Sequence, residues 1–137
     1  MNKKQAYQFF TEVYQEIIVN LNINQIPEYF SEQYIQVTDG VRTNMIDFTN
    51  HIVTLKEHVA SMSVSPFYDF LFDKAKQTVT LRYIVHVNKK NGETGDVEVI
   101  AIFELANNKI IRCNEMTCPL SNNKELENIG TINTNVR

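Results

Sequence analysis

The chain has 137 residues, of which 43% are hydrophobic and 21% are charged, and this balance is typical of a single globular domain. Its formal net charge of −3 argues against nucleic acid as a partner, because phosphate binding needs a concentrated basic surface. No apolar run reaches the length of about 18 residues that a membrane span needs, and polar residues interrupt the apolar ones near the N-terminus. We therefore expect a cytoplasmic protein with no membrane partner.

Helical periodicity is confined to the first part of the chain. Apolar residues at spacings of three and four predict a helix of about five turns over residues 7–21. A short second helix follows, with Asn24 as its cap and Pro27 in its first turn. The most regular apolar stripe predicts a third helix, which begins near Asn44 and ends before Ser61.

Two short strands are predicted around the third helix. Residues 34–37 form the first strand, and the turn signal at residues 38–40 closes it. Residues 64–72 form the second strand, in which Pro66 marks an edge or a bulge.

The second half of the chain predicts three long strands in a meander, because runs rich in Val, Ile, Tyr and Phe alternate with turn signals. The pairs Asn91-Gly92 and Asn107-Asn108 tolerate the positive φ that two-residue hairpin turns require. The strands that these turns separate cover residues 78–87, 97–105 and 110–118.

We expect residues 1–120 to form one domain and residues 121–137, which carry few apolar groups, to form a flexible polar tail. Cys113 and Cys118 lie five residues apart on one predicted strand, so their side chains point to opposite faces of the sheet. A disulfide between them is therefore not expected. Two cysteines do not complete a zinc site, and we predict neither a metal nor an organic cofactor.

Three stretches of the sequence resemble the nuclear-transport-factor-2-like superfamily. Residues 29–40 (YFSEQYIQVTDG) resemble the segment that leads into its first strand, and residues 47–52 (DFTNHI) resemble the start of its third helix. Residues 103–115 (FELANNKIIRCNE) resemble its closing hairpin, with Asn108 in place of the usual Gly. The stretches occur in the right order over about residues 4–120, and the SnoaL-like branch, which includes polyketide cyclases, is the most similar.

This resemblance implies an α+β fold, in which a cone-shaped, curved antiparallel sheet wraps around N-terminal helices and a cavity. Such folds serve isomerases, cyclases, dehydratases, ligand carriers and dimerisation modules, so the fold assigns no reaction. An ungapped comparison with the steroid isomerases places Tyr14 on their oxyanion-binding tyrosine. Their general base falls on Thr38, one residue before Asp39, and their second acid falls near Ala101. Because only one of the three residues matches, we do not transfer the isomerase reaction.

Two-residue turns would place Tyr83 opposite Ile100, and Ile100 opposite Glu115. The more apolar sheet face would then line the cavity, and we expect it to hold Val79, Leu81, Tyr83, Val85, Glu98, Ile100, Ile102, Glu104, Ile111, Cys113 and Glu115. The other face is amphiphilic, which predicts a homodimer through the outer sheet face. We expect this outer face to hold Thr80, Arg82, Ile84, His86, Val97, Val99, Ala101, Phe103, Ile110, Arg112, Asn114, Met116 and Cys118.

Glu115 and Asp39 are the carboxylates that we predict to be catalytic. In an apolar cavity the pKa of Glu115 would rise toward neutrality, which suits a general acid or base. The alternative is a strand glutamate paired with a basic neighbour or near solvent. Asp39 ends the first strand at the expected cavity mouth, and its alternative role is turn chemistry with Gly40.

His51 is the third predicted catalytic residue, as a pocket base on the flank of the third helix. The alternative is a histidine at the core boundary. His58 lies two turns further on, roughly 10 Å away, which is too far for the two side chains to share a metal ion. We predict that the hydroxyls of Tyr14 and Tyr83 bind substrate, and the alternative for both is core packing.

Two functions stay open at this stage. In the first, the protein binds a small hydrophobic molecule and acts on it by proton transfer, in an isomerisation, cyclisation or dehydration. In the second, aromatic side chains fill the cavity and the domain is a non-catalytic ligand-binding, dimerisation or interaction module. A homodimer is compatible with both functions.

Overall fold

The computed structural model describes residues 1–120 and 129–132. Within these ranges the chain forms three α-helices and seven strands. The helices are α1 (Lys3–Val13), α2 (Ile26–Tyr29) and α3 (Met45–His58). The strands are β1 (Phe30–Thr38), β2 (Val41–Asn44), β3 (Val59–Val64), β4 (Asp69–Asp73), β5 (Thr78–Lys89), β6 (Thr94–Ala106) and β7 (Lys109–Pro119).

The first predicted helix starts and ends a few residues earlier than expected, at Lys3 and Val19, and its geometry is not uniform. Helix α1 begins at a capping box between Asn2 and Gln5 and continues directly into a π-helix, Tyr14–Val19. The wider π turn is seen in the hydrogen bond from the Asn20 N–H to the Gln15 carbonyl, 2.9 Å long. Apolar spacing does not distinguish an α-helix from a π-helix, so the sequence did not predict this change.

Helix α3 begins as predicted, with Asn44 as its N-cap and Asp47 completing the capping box. It ends at His58, and Val59 already belongs to β3. The single strand predicted over residues 64–72 is wrong: β3 and β4 are separate strands, and the segment around Pro66 joins them. Strand β2, which pairs with β1, was not predicted.

The predicted fold class is confirmed: N-terminal helices pack against a large curved sheet of an α+β protein. The strand order is β2-β1-β7-β6-β5-β3, and β4 also pairs with β5. Strand β1 runs parallel to β7, so the sheet is mixed rather than entirely antiparallel. None of the helices in the described ranges is long and apolar enough to cross a membrane.

The predicted register between the long strands is wrong by one residue at each hairpin. Between β5 and β6 the Lys89 N–H bonds to the Glu93 carbonyl, so three residues form the loop instead of two. Tyr83 therefore lies opposite Val99. The Asn107-Asn108 turn has the expected positive φ at both residues, but a bulge follows it, and Ala101 lies opposite Glu115.

These two shifts exchange the inner and outer faces of β6, whereas the residues of β5 and β7 mostly lie on the faces that we predicted. A one-residue slip exchanges the faces of a strand, and a second slip restores the parity of the next strand. The residues that we expected outside, but that are buried against the helices, are Val97, Val99, Ala101, Phe103 and Ile110. The residues that we expected inside, but that are not in the buried core, are Glu98, Ile100, Ile102, Glu104 and Ile111.

Candidate functional site

A cavity with two lobes lies between the concave sheet and the helices, with volumes of about 60 and 70 Å³. The first lobe has a largely aromatic wall, and the second lobe has a largely aliphatic one. Four residues line both lobes, and we call them the waist: Ile18, His51, Tyr83 and Glu115. The lobes are small compared with pockets for drug-sized ligands, which measure about 300–1,000 Å³.

Glu115 projects from the inner face of β7 into the waist. Its Oε1 accepts a hydrogen bond of 2.9 Å from the Thr38 hydroxyl, and part of its surface remains accessible. Burial raises the pKa of Glu115 to about 7; the hydrogen bond from Thr38 opposes this rise and the charge of Asp39 adds to it. A carboxyl group with this pKa can both accept and release a proton near neutral pH.

A buried chain of hydrogen bonds along β1 leads to Glu115. The Tyr34 hydroxyl donates to Gln36 Oε1 over 2.6 Å, and Gln36 Nε2 donates to Thr38 Oγ1 over 2.8 Å. Because Thr38 accepts from Gln36, its own proton is directed to Glu115. The sequence did not predict this chain; its one signal is that Tyr34, Gln36 and Thr38 alternate along the strand and so share one face.

Tyr14, which lines the aromatic lobe, contacts Tyr83, which belongs to the waist. Tyr14 lies at the start of the π-helix, and its ring meets that of Tyr83 edge to face, with 4.5 Å between centroids. Burial raises the pKa of both phenols well above the usual range; their hydrogen bond adds to the rise at Tyr14 and opposes it at Tyr83.

His51 reaches the waist from α3, and its tautomer is defined by one contact. Nδ1 lies 2.6 Å from the carbonyl oxygen of Ile132, which can only accept, so Nδ1 carries a proton. Burial lowers the pKa of His51, while the bond to Ile132 opposes that effect. In the neutral ring Nε2 therefore has a free lone pair and can accept a proton.

Asp39 is the one predicted catalytic residue that lines neither lobe. It is an exposed turn residue with a φ of 51°, and its carboxylate accepts hydrogen bonds from the N–H and the hydroxyl of Thr117. The other four predicted site residues, Tyr14, His51, Tyr83 and Glu115, all line the cavity. Asp39 contacts the site through its N–H, which donates to the Glu115 carbonyl over 3.1 Å, and through Thr117, and its charge raises the pKa of Glu115.

Residues 129–132, which we call the strap, cover the aliphatic lobe. Ile129 is buried and lines this lobe, and Gly130 lies against Thr117. The rest of the predicted flexible tail, residues 121–128 and 133–137, lies outside the described residues.

In the described part of the chain, the polar groups of the cavity are placed for hydrogen bonding rather than for holding a metal ion. No cluster of three or more His, Cys, Asp or Glu residues there has a geometry that could hold a metal ion. Cys113 is buried and Cys118 is exposed, and both are free thiols. No Lys or Arg is found among the described residues that line the lobes.

No protein-family model matches the chain. The chain is similar to the uncharacterized protein C11D3.04c of Schizosaccharomyces pombe, with 19% identity over 129 residues, which cover 94% of this chain and 92% of that protein.

Several solved structures have a similar fold. AclR from Streptomyces galilaeus, a candidate hydroxylase, matches with a TM-score of 0.75 and 9% identity over 96% of this chain and 99% of its own. A candidate isomerase from Bacillus subtilis has a TM-score of 0.72 and 13% identity, with 88% and 91% covered. IdmH from Streptomyces antibioticus, a candidate polyketide cyclase, has a TM-score of 0.68 and 7% identity, with 80% and 89% covered.

Identities this low establish a shared fold and not a shared activity. The matches nevertheless cover most of this chain, with TM-scores of 0.75 and 0.72 for the first two structures. The chain therefore has the fold of the SnoaL-like branch of the nuclear-transport-factor-2-like superfamily.

Proposed function

We propose that the protein binds a small, mostly apolar molecule in the two-lobed cavity and catalyses a proton transfer on it. The observation that carries this proposal is the carboxyl group of Glu115, which lines both lobes and has a pKa raised to about 7 by burial. A buried carboxyl group is costly in a protein core, and it becomes useful where a guest molecule exchanges a proton with it.

The waist offers the groups that such a reaction needs. The carboxylate of Glu115 removes a proton from a carbon atom next to a carbonyl group of the guest, and the electron pair of that C–H bond moves toward the carbonyl oxygen. Tyr83, which remains protonated, donates a hydrogen bond to the resulting enolate oxygen. Return of the proton at the far end of a conjugated enolate isomerises the guest, and attack of the enolate on a second carbonyl group cyclises it.

The fold comparisons support this class of chemistry. Proteins with the same fold include a candidate isomerase and a candidate polyketide cyclase. In this chain His51 is a second base in the waist, since its Nε2 is unprotonated in the neutral ring. Asp39 has no catalytic role in this proposal.

Exchange of carbon-bound protons with deuterated water tests the first step directly. We expect the protein to accelerate exchange next to the carbonyl group of a small ketone, with a rate that rises through an apparent pKa of about 7 as Glu115 ionises. Glu115→Gln should abolish the acceleration. Glu98→Gln, a matched change on the opposite face of the sheet, should leave it intact. Equal exchange rates with Glu115→Gln and the unchanged protein would remove Glu115 from the mechanism.

A second function, in which the domain acts as a dimerisation module, is favoured by the outer sheet face. Ile100 and Met116 lie opposite each other on neighbouring strands and are 50% and 72% exposed. Ile102 extends this apolar patch, and ion pairs of Arg82 and Arg112 flank it. An exposed apolar patch with a charged rim is typical of a protein interface, and a homodimer through it would leave the cavity unchanged.

A further inference from the structure

The strap supplies a part of the cavity wall that the domain framework does not. Of the described residues that line the lobes, Ile129 and Gly130 are the two that lie outside the helices and strands. Ile129 lines the aliphatic lobe together with side chains such as Leu55 and Val97, and it is only 6% exposed. The volume available in that lobe therefore depends on the Ile129 side chain.

The position of the strap is fixed at two further points. A Cβ atom added to Gly130 would lie 2.9 Å from Thr117 Cγ2 and 3.3 Å from Thr38 Cγ2, so the backbone packs tightly there. The carbonyl group of Ile132 holds His51 by the bond to Nδ1. The strap thus contacts both the base in the waist and the residue that donates to Glu115.

The waist selects a neutral guest with a hydrogen-bonding group at its centre. Tyr83 and protonated Glu115 are donors, and His51 Nε2 is an acceptor. With no Lys or Arg among the described lining residues, an anionic guest would be buried without a partner, which is costly. A carbonyl group accepts from Tyr83 without carrying a charge, which leaves Glu115 free to ionise and to take a proton from the neighbouring carbon atom.

We propose that the site takes a neutral ketone whose carbonyl group lies at the waist and whose alkyl arm fills the aliphatic lobe, where Ile129 sets the length of that arm. This inference depends on the proposed function for the identity of the site. The lobes together approach the size of a dry cavity of about 150 Å³ that binds benzene, so the preferred guest has about six carbon atoms. Larger guests require the Ile129 side chain to move.

A series of unbranched methyl ketones from butanone to decanone tests this inference. Binding to the full chain is measured by titrating each ketone and following the protein's NMR amide shifts. We expect the affinity to be highest near hexanone for the unchanged protein. Ile129→Ala removes about three carbon atoms from the wall, so the preferred ketone should become about three carbon atoms longer.

Ile132→Ala is the matched control within the strap. It keeps the carbonyl group that binds His51 and changes a side chain that lines neither lobe, so the preferred length should stay the same. Should Ile129→Ala reduce the folded fraction, Ile129→Val, which removes one carbon atom, should shift the preference in the same direction by about one carbon atom.

An unchanged length preference in both Ile129 variants would overturn this inference, as would hexanoate binding as tightly as hexanone. These outcomes are distinct from failure of the proposed function. Ketones that bind with the expected length preference, but exchange no protons, would refute the catalytic proposal and support the role of Ile129. Failure of every ketone to bind would overturn both.

Discussion

Thr38 controls how readily Glu115 takes up a proton, because its hydroxyl is the one group that favours the ionised carboxylate among the causes of the pKa shift. Gln36 donates to the Thr38 hydroxyl oxygen, so the Thr38 hydroxyl proton is directed to Glu115. Glu115 Oε1 therefore already accepts one hydrogen bond, which favours Oε2 as the oxygen that takes up a proton.

Replacing the Thr38 hydroxyl by a methyl group should raise the pKa of Glu115 further above 7. In Thr38→Val the carboxylate loses its hydrogen bond and desolvation acts unopposed. The change is measured by following the carboxyl carbon of ¹³C-labelled glutamate as a function of pH. Thr38→Ser keeps the hydroxyl and should retain a pKa near 7. A Thr38→Val titration that coincides with that of the unchanged protein would show that the hydrogen bond has no effect on the carboxylate.

Glu115 should also make folding stability depend on pH. Its pKa is 4.5 in its ordinary state and about 7 in the folded protein, so the folded state binds more protons than the unfolded state between these values. Stability contributed by protonated Glu115 is therefore present below about pH 4.5 and is lost as the pH rises through 7. The full loss is on the order of 3 kcal/mol, from about 1.4 kcal/mol per pKa unit.

Glu115→Gln, which carries no titrating proton, should escape this loss. We expect the variant to gain stability relative to the unchanged protein as the pH rises from 5 to 8, as measured by urea unfolding at each pH. Glu32→Gln removes an exposed carboxylate and is the control. Parallel pH curves for Glu115→Gln and the unchanged protein would mean that Glu115 is ionised throughout this range in the folded state.

At the residue scale the sequence identified most of the cavity's polar groups but not their connections. Glu115 and Tyr83 lie at inward positions of strands whose alternation is regular, so their placement followed from periodicity. Tyr34, Gln36 and Thr38 were overlooked because polar residues on an inward strand face resemble a strand exposed to solvent. Only the contact between β1 and β7 shows that Thr38 meets Glu115, and sequence spacing does not reveal such a contact.

At the element scale the decisive features are a loop one residue longer than predicted and a bulge. Gly92 has a φ of 92° and sits in a three-residue loop, although Asn91-Gly92 is also typical of a two-residue turn. The sequence does not distinguish these loops, and the choice decides which face of β6 is buried. The apolar residues Val97, Val99 and Phe103 decide the register, because the alternative would bury Glu98 and Glu104.

The N-cap of α3 lies where the sequence predicted the third helix to begin, and it supports the helix that carries His51. The Asn44 side chain accepts from the Asp47 N–H over 2.9 Å. Asn44→Ala should lower the free energy of unfolding by about 1 kcal/mol, as measured by urea denaturation. Asn44→Asp retains an acceptor and should cost only a few tenths of a kcal/mol. Equal losses in the two variants would contradict a capping role for this side chain.

At the scale of the whole molecule, one sheet has two faces of different character. Its concave face and the helices enclose the cavity, while its convex face carries the apolar patch of Ile100, Ile102 and Met116. Because alternate residues of β6 and β7 point to opposite faces, the patch lies directly behind the cavity wall. A subunit bound on the convex face would stiffen the strands that position Glu115.

The convex patch should join two copies of the chain. We expect sedimentation velocity at micromolar concentrations to show a dimer. Met116→Glu and Ile100→Glu should each raise the dimer Kd by about a hundredfold, since an unpaired charge desolvated in an interface costs about 3 kcal/mol. Ile46→Glu, at a 70% exposed position on α3, places the same charge away from the patch and should leave the Kd unchanged. A monomer at 100 µM would refute the interface. Equal weakening by Ile46→Glu would indicate that net charge, rather than contact on the sheet, governs association.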